Sequence, residues 1–321
     1  MDQHDDNDEL ISQLGDGLQD VLDGYDEDSA PAGVPTGFRG LDAITNGLRP
    51  GSLTVIASRP GLGRTTLLSD ICRRNAIADR RPVAVWTLEE TRGDFATRLL
   101  GAEARVPLHH IRSARMDTDS WERLAKTLPG LMDAPIYIGD PAAITMPELA
   151  EQATRLVEQH GVQLLAVDGI QDIRPEKRSD LREREVGDVV RDLKTLARQL
   201  SVPVLATSHL NRGPEQRSDH RPEIDDLRES GAITYAADTI ILLHRPDAYE
   251  RDSPRAGEAD LIVARNRHNP TCVSTVAYQA HYGRFIDMAE DWQREEPQTP
   301  TFDLLQMFGE QPPSGADRPS Q

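Results

Sequence analysis

Two cysteines in 321 residues, Cys72 and Cys272, are too few for a disulfide framework and form no metal-spaced cluster. A reducing, cytoplasmic setting is expected. No apolar run approaches the roughly 18 residues that a membrane span needs, so no membrane partner is expected. Residues 1–32 contain no Lys or Arg. This acidic stretch lacks a basic n-region and also an apolar h-region, so no secretory signal is expected. No internal repeat is visible.

The charge that is present is unevenly placed. The chain carries a formal −18, and residues 1–32 alone contribute eleven acids. Residues 286–321 carry eight acids against Arg294 and Arg318, a net of −6, which leaves −1 for residues 33–285. The acidity belongs to the tails, so the low isoelectric point says little against nucleic-acid binding by the middle. Such tails are expected to be solvated and disordered.

Three regions follow. In the acidic segment 1–32, Leu10, Ile11, Leu14, Leu18, Val21 and Leu22 recur at helical spacing. This short helix precedes a linker at 26–35, and its apolar side needs a surface, on its own domain or on a neighbouring subunit. Residues 33–285 read as one α/β domain, and residues 286–321 as a disordered tail. Strands are expected at Leu53–Ala57, Val83–Leu88, Ile136–Ile138, Leu164–Val167, Val202–Thr207, Thr239–Leu243, Ala259–Ala264 and Cys272–Tyr278, with helices near 65–78, 92–105, 117–132, 146–159 and 181–200. Alternation of this kind implies a mostly parallel sheet with helices on both faces. The turn at His268-Asn269-Pro270-Thr271 makes the last two strands an antiparallel hairpin.

The first strand runs into Ser58-Arg59-Pro60-Gly61-Leu62-Gly63-Arg64-Thr65-Thr66 and then into a helix. Strand, glycine-rich turn and helix is the context of a phosphate-binding loop. Its amides and the helix dipole suit an anion. Thr65 is placed to ligate Mg²⁺. The strict pattern asks for Gly at 58 and Lys at 64, and the chain has Ser58 and Arg64. Charge is kept at 64, so ATP binding is expected. A wide planar fork in place of a compact ammonium predicts slow hydrolysis, with Arg64→Lys raising turnover.

Further chemistry falls at strand ends, where open α/β sheets bind ligands. Asp168 closes Leu164–Val167 and suits Mg²⁺. Glu89 and Glu90 follow Val85-Trp86-Thr87-Leu88, and one of them is placed to deprotonate an attacking water. Ser208-His209-Leu210-Asn211-Arg212 ends another strand, where a polar residue senses a γ-phosphate.

In this order, GVPTGFRGLD at 33–42, SRPGLGRTT at 58–66, TLEE at 87–90, LLAVDGIQDI at 164–173, TSHLNR at 207–212, DLRESG at 226–231 and RNRHNP at 265–270 make residues 33–285 resemble the C-terminal RecA-like ATPase domain of DnaB-type replicative helicases. The resemblance implies a RecA-like P-loop NTPase using ATP and Mg²⁺, single-stranded DNA as partner, and a homo-oligomeric ring, hexameric in this family. It implies that Glu89 is the catalytic glutamate and Asp168 the Mg²⁺-associated aspartate. His209 stands where the family usually has a glutamine. Arg265 and Arg267 match a basic pair that reaches into the neighbour's ATP site, with Arg267 as arginine finger. Arg228, Glu229 and Gly231 match a loop that tracks DNA phosphates. The helix at 10–22 matches the family's linker helix, and no counterpart of its N-terminal collar is expected. Gly169 replaces a residue that is usually bulky.

Two functions follow. One is an ATP-dependent DNA helicase, a translocase acting in DNA replication. The other is a nucleotide- and DNA-binding assembly module with slow or no hydrolysis. Retention of Glu89, Asp168 and Arg267 favours the first; Arg64 and His209 favour the second. A recombinase filament fits the motifs less well. An apolar island at 301–308 suggests either incidental hydrophobics or a peptide that folds on a replication partner.

Overall fold

The structure, a computed structural model, describes residues 33–289 except 177, 178, 229 and 251. The helix expected at 10–22, the tail segment 301–308 and Glu229 lie outside the described residues.

Apolar runs build the centre. β1 (Leu53–Ser58), β2 (Val83–Thr87) and β4 (Leu164–Asp168) are buried throughout, and β5 (Val204–His209) and β6 (Thr239–His244) nearly so. Continuous rather than alternating hydrophobicity is what strands covered on both faces require. The half-buried β3 (Ile136–Gly139) forms one edge. The sheet order is β3-β2-β4-β5-β1-β6-β7-β8-β9, with β7 at Glu258–Asn266, β8 at Cys272–Gln279 and β9 at Arg284–Asp287. Pairings from β3 to β6 are parallel, and those from β6 to β9 are antiparallel. The expected hairpin is therefore followed by one more strand, which carries the sheet past 285. Phe285 of β9 is buried, and its N–H donates to the Asp70 carboxylate at 2.6 Å.

Nine α-helices are described: α1 (Arg39–Thr45), α2 (Arg64–Arg73), α3 (Arg92–Ala104), α4 (Leu108–Ser113), α5 (Thr118–Met132), α6 (Met146–His160), α7 (Arg182–Leu200), α8 (Gly213–Gln216) and α9 (Ser230–Ala236). Some of their limits are written in the sequence. A Thr145–Glu148 capping box opens α6, and Gly161 closes it in the left-handed conformation. Beyond α2, residues Arg74–Ala78 form a π turn. There the buried Asn75 amide donates to the carbonyls of Pro35 and Ile71. The stretch 33–42 is structural. The Asp42 carboxylate accepts from the N–H groups of Thr36 and Gly37 at 2.8 and 3.0 Å, fixing the start of α1.

Alternate strand residues feed two cores. Leu53, Val55 and Ala57 of β1 face Leu149 of α6 and Val190 and Leu193 of α7. Ile56 belongs to the other layer, with Leu41, Leu67, Leu68, Ile71 and Phe95 from α1, α2 and α3. The parallel strands thus end together in Ser58, Thr87, Asp168 and His209, and the loops that follow meet at one end of the sheet.

Candidate active site

The loop between β1 and α2 encloses a cleft of about 310 Å³. Ser58, Arg59, Pro60, Gly61, Gly63, Arg64, Thr65 and Thr66 line it, together with Glu89, Arg98, His209 and Tyr278. Leu62 belongs to the loop but turns its side chain into the core. Gly63 precedes α2 with φ 104, and a Cβ there would press on the Phe285 ring at 3.1 Å. Glycine is required by both the backbone and the close packing.

Arg64 is 6% exposed. Its guanidinium forms an ion pair with Glu89 and lies 2.8 Å from His209 Nδ1. Its Nε–H is buried with no partner. The hydrogen bond from His209, with the charge of Arg64, holds the Glu89 carboxyl below its ordinary range against the effect of burial. Glu90 faces differently: both its oxygens are taken by Arg98, at 3.3 and 2.6 Å, and Arg98 also donates to the Thr66 hydroxyl. The sequence offered two glutamates, and the structure separates them.

Asp168 is fully buried. Its Oδ1 accepts from the Thr207 hydroxyl at 2.7 Å, and its Oδ2 has no partner. Burial pushes its carboxyl up, opposed by the hydrogen bond from Thr207 and by the neighbouring Thr65. An orphaned carboxylate oxygen beside the Thr65 hydroxyl fits a hard cation. Mg²⁺ needs few protein ligands, since water and phosphate supply the rest. Among the described residues no cluster of three or more His, Cys, Asp or Glu could hold a metal ion. Gly169 sits at φ 106, where a Cβ would collide with the Asp172 carboxylate. The absence of a bulky residue there is a backbone requirement.

Arg265 and Arg267 are not brought to this cleft. The end of β7 pairs with the start of β6, with Asn266 opposite Thr239, at the other end of the parallel strands. Asp238 ties that end to the first residue of β1, since its N–H donates to the Leu53 carbonyl. Arg228 lies close to the cleft through the backbone: its N–H donates to the His209 carbonyl at 3.1 Å. Gly231 falls inside α9 rather than in a loop. Arg98 and Tyr278 line the cleft but went unnoticed in the sequence. Each sits in an ordinary helix or strand pattern with no motif around it.

Comparison with known proteins identifies the family. The family described as "DnaB-like helicase C terminal domain" matches residues 33–287. The "Replicative DNA helicase DnaB" of Leifsonia xyli subsp. xyli is 48% identical over 263 residues, covering 82% of this chain and 58% of that protein. The Geobacillus stearothermophilus protein of the same name is 33% identical over 265 residues, again 82% of this chain and 58% of that protein. The chain spans about half the length of the curated relatives it matches. Among solved structures, one described as "ATPase Domain of G40P" superposes with a TM-score of 0.82 at 28% identity, covering 87% of this chain and 100% of that one. A second, a DnaB-like replicative helicase described with its interactions with primase, gives 0.80 at 29% identity, covering 87% and 68%. By sequence and by fold, this chain belongs to the DnaB-like helicase C-terminal domain family.

Proposed function

We propose that this chain is an ATP-driven motor on single-stranded DNA, a helicase of the DnaB type that works in the cytoplasm as a ring of identical subunits, hexameric as the resemblance implies, in DNA replication. The observation that carries the reading is a division of the site. The loop 58–66, Glu89, Asp168 and His209 gather at one end of the sheet, while Arg265 and Arg267 stand at the other. A complete site then needs two subunits.

In this reading the loop amides cradle the phosphates of ATP, and the free Nε–H of Arg64 is a donor to them. Thr65 and Asp168 hold Mg²⁺, which neutralises charge on the phosphates. Glu89 accepts a proton from water as the water oxygen bonds to the γ-phosphorus. The bond to the β-phosphate oxygen breaks, and ADP leaves with its electron pair. Arg267 of the neighbouring subunit, with Arg265 beside it, faces the charge that spreads over the transferred group. Arg228, Glu229 and Gly231 grip DNA phosphates without reading sequence. The hydrogen bond from the Arg228 N–H to the His209 carbonyl gives the DNA grip a direct link to the nucleotide site.

A stripe on α5 supports the ring. Trp121, Ala125, Leu128 and Met132 recur at helical spacing and are all exposed. We assign this stripe to the segment 10–22 of a neighbouring subunit, whose apolar residues recur at helical spacing.

The ion pair between Arg64 and Glu89 favours a second reading, an assembly module with slow hydrolysis. Phosphate release measured with and without single-stranded DNA, alongside strand displacement on a forked duplex, separates the two. DNA-stimulated turnover with displacement supports the motor. Nucleotide and DNA binding without either supports the module.

A further inference from the structure

We infer that Arg64 and His209 are a matched pair, in which His209 is a positioning residue that seats the Arg64 guanidinium. This rests on the reading of the cleft as a triphosphate site.

A guanidinium only donates. Arg64 Nη1 lies 2.8 Å from His209 Nδ1, so Nδ1 is the bare, accepting nitrogen and the ring hydrogen sits on Nε2. That Nε2–H faces Glu89 Oε1 at 3.4 Å. Arg64 Nη2 donates to the same Glu89 oxygen. The three side chains close a ring through these three contacts, each of which pairs one donor with one acceptor. The 3.2 Å approach of Arg64 Nη2 to His209 Nε2 is then two donors drawn together by a shared carboxylate oxygen. Nη1 also reaches the Ser208 carbonyl at 3.5 Å.

This arrangement uses what arginine has and lysine lacks: several N–H groups in one plane, separated by the width of the fork. One ammonium cannot meet the imidazole nitrogen and the carboxylate in the same geometry. With both terminal nitrogens engaged, the inner Nε–H remains buried and unpartnered, a donor of Arg64 available to a phosphate. His209 thereby decides where that donor points. Positions 64 and 209 are two places where the chain departs from the pattern its motifs otherwise follow, and they are in contact. Each departure accommodates the other.

The expectation from sequence that Arg64→Lys alone speeds hydrolysis is replaced by one about the pair. The test compares wild type, Arg64→Lys, His209→Gln and the double variant by steady-state ATP hydrolysis with single-stranded DNA. Each single change should lower kcat about tenfold while moving KM less than about threefold. The double variant should recover to within about threefold of wild type, a coupling of the size that contacting residues produce. A double variant as slow as the product of the singles overturns the pairing.

A second measurement needs no nucleotide, and its first readout needs no variant. Nitrogen-15 shifts of the His209 imidazole in the full chain should place hydrogen on Nε2, and Arg64→Lys should shift them. Hydrogen on Nδ1, or signals indifferent to Arg64→Lys, overturns the pairing whatever the hydrolysis data give. Wild type that neither binds nor hydrolyses ATP, with imidazole signals that still respond, overturns the nucleotide reading and leaves the contact between the pair supported.

Discussion

Arg267 is tied to Asp238. Its Nε lies 3.3 Å from Asp238 Oδ1, and its backbone N–H donates to the Asp238 carbonyl at 2.9 Å. The other carboxylate oxygen of Asp238 accepts from the Leu53 N–H at 2.8 Å and from Lys194 at 2.6 Å. Leu53 opens β1, and the phosphate-binding loop follows its far end. Six strand residues span roughly 20 Å, so the arginine and the loop of one chain are held apart by a rigid strut.

From that separation follows a complementation test. Arg267→Ala and Glu89→Gln should each lower ATP turnover, the arginine change by about 10³–10⁵. Mixed subunits should exceed the sum of the two separate activities, because some interfaces join an intact arginine to an intact glutamate. Mixtures that never exceed that sum would rule out a site shared between subunits.

How much of this was legible beforehand depends on the scale of the signal. Buried parallel strands announce themselves, because the runs that lead to Ser58 and to Asp168 are covered on both faces and so are mostly apolar. The loop 58–66 was legible because phosphate binding constrains backbone and sequence together. β9 was not. It has only four residues, and its place is fixed by Asp70, remote in sequence, accepting from the Phe285 N–H. The different surroundings of Glu89 and Glu90 were hidden for the same reason, since it is Arg98 on α3 that engages Glu90. Nor does any local pattern reveal that residues 64 and 209 touch.

The two glutamates should behave differently on substitution. Glu89→Gln leaves the cleft its shape but removes the base, so kcat should fall by about 10²–10⁴ with nucleotide affinity nearly unchanged. Glu90→Gln breaks the pair with Arg98, which also donates to Thr66 of the loop, so it should weaken nucleotide binding more than it slows the chemical step. Titration with a fluorescent nucleotide and single-turnover hydrolysis would separate these effects. Equal losses of kcat in the two variants would reject the division of roles.

Assembly should depend on the α5 stripe. Burying a side chain of the size of Trp121, Leu128 or Met132 contributes about 1.5–3 kcal/mol. Deleting residues 1–30, or introducing Trp121→Glu, should therefore shift the oligomer toward smaller species on dilution, with the far-ultraviolet spectrum unchanged in Trp121→Glu and the unfolding transition of the remaining domain kept in the deletion. Solution mass across a dilution series checks this. An oligomer that resists both changes would show that neither segment holds the ring together.

Asp70 should give the fold a pH dependence of its own. It is buried beneath α2, with Oδ2 accepting from Phe285 and Oδ1 from Arg73 at 3.1 Å. Burial pushes its carboxyl from 3.8 up to about 6, opposed by the charge of Arg73 and the Phe285 hydrogen bond. A raised carboxyl pKa means that the folded chain binds the proton more tightly than the unfolded one. Its contribution to stability is therefore greatest at and below about pH 4, and it is lost as pH rises to about 6. The difference amounts to roughly 3 kcal/mol for a shift of about two units. Asp70→Asn removes the titration while keeping the shape. Denaturant midpoints of wild type and variant should thus diverge across this window, with wild type losing stability relative to the variant as pH rises. A difference between the two that stays constant from pH 4 to pH 7, or changes in the opposite sense, would mean that Asp70 is charged in the folded chain throughout, with its two partners fully offsetting the cost of burial.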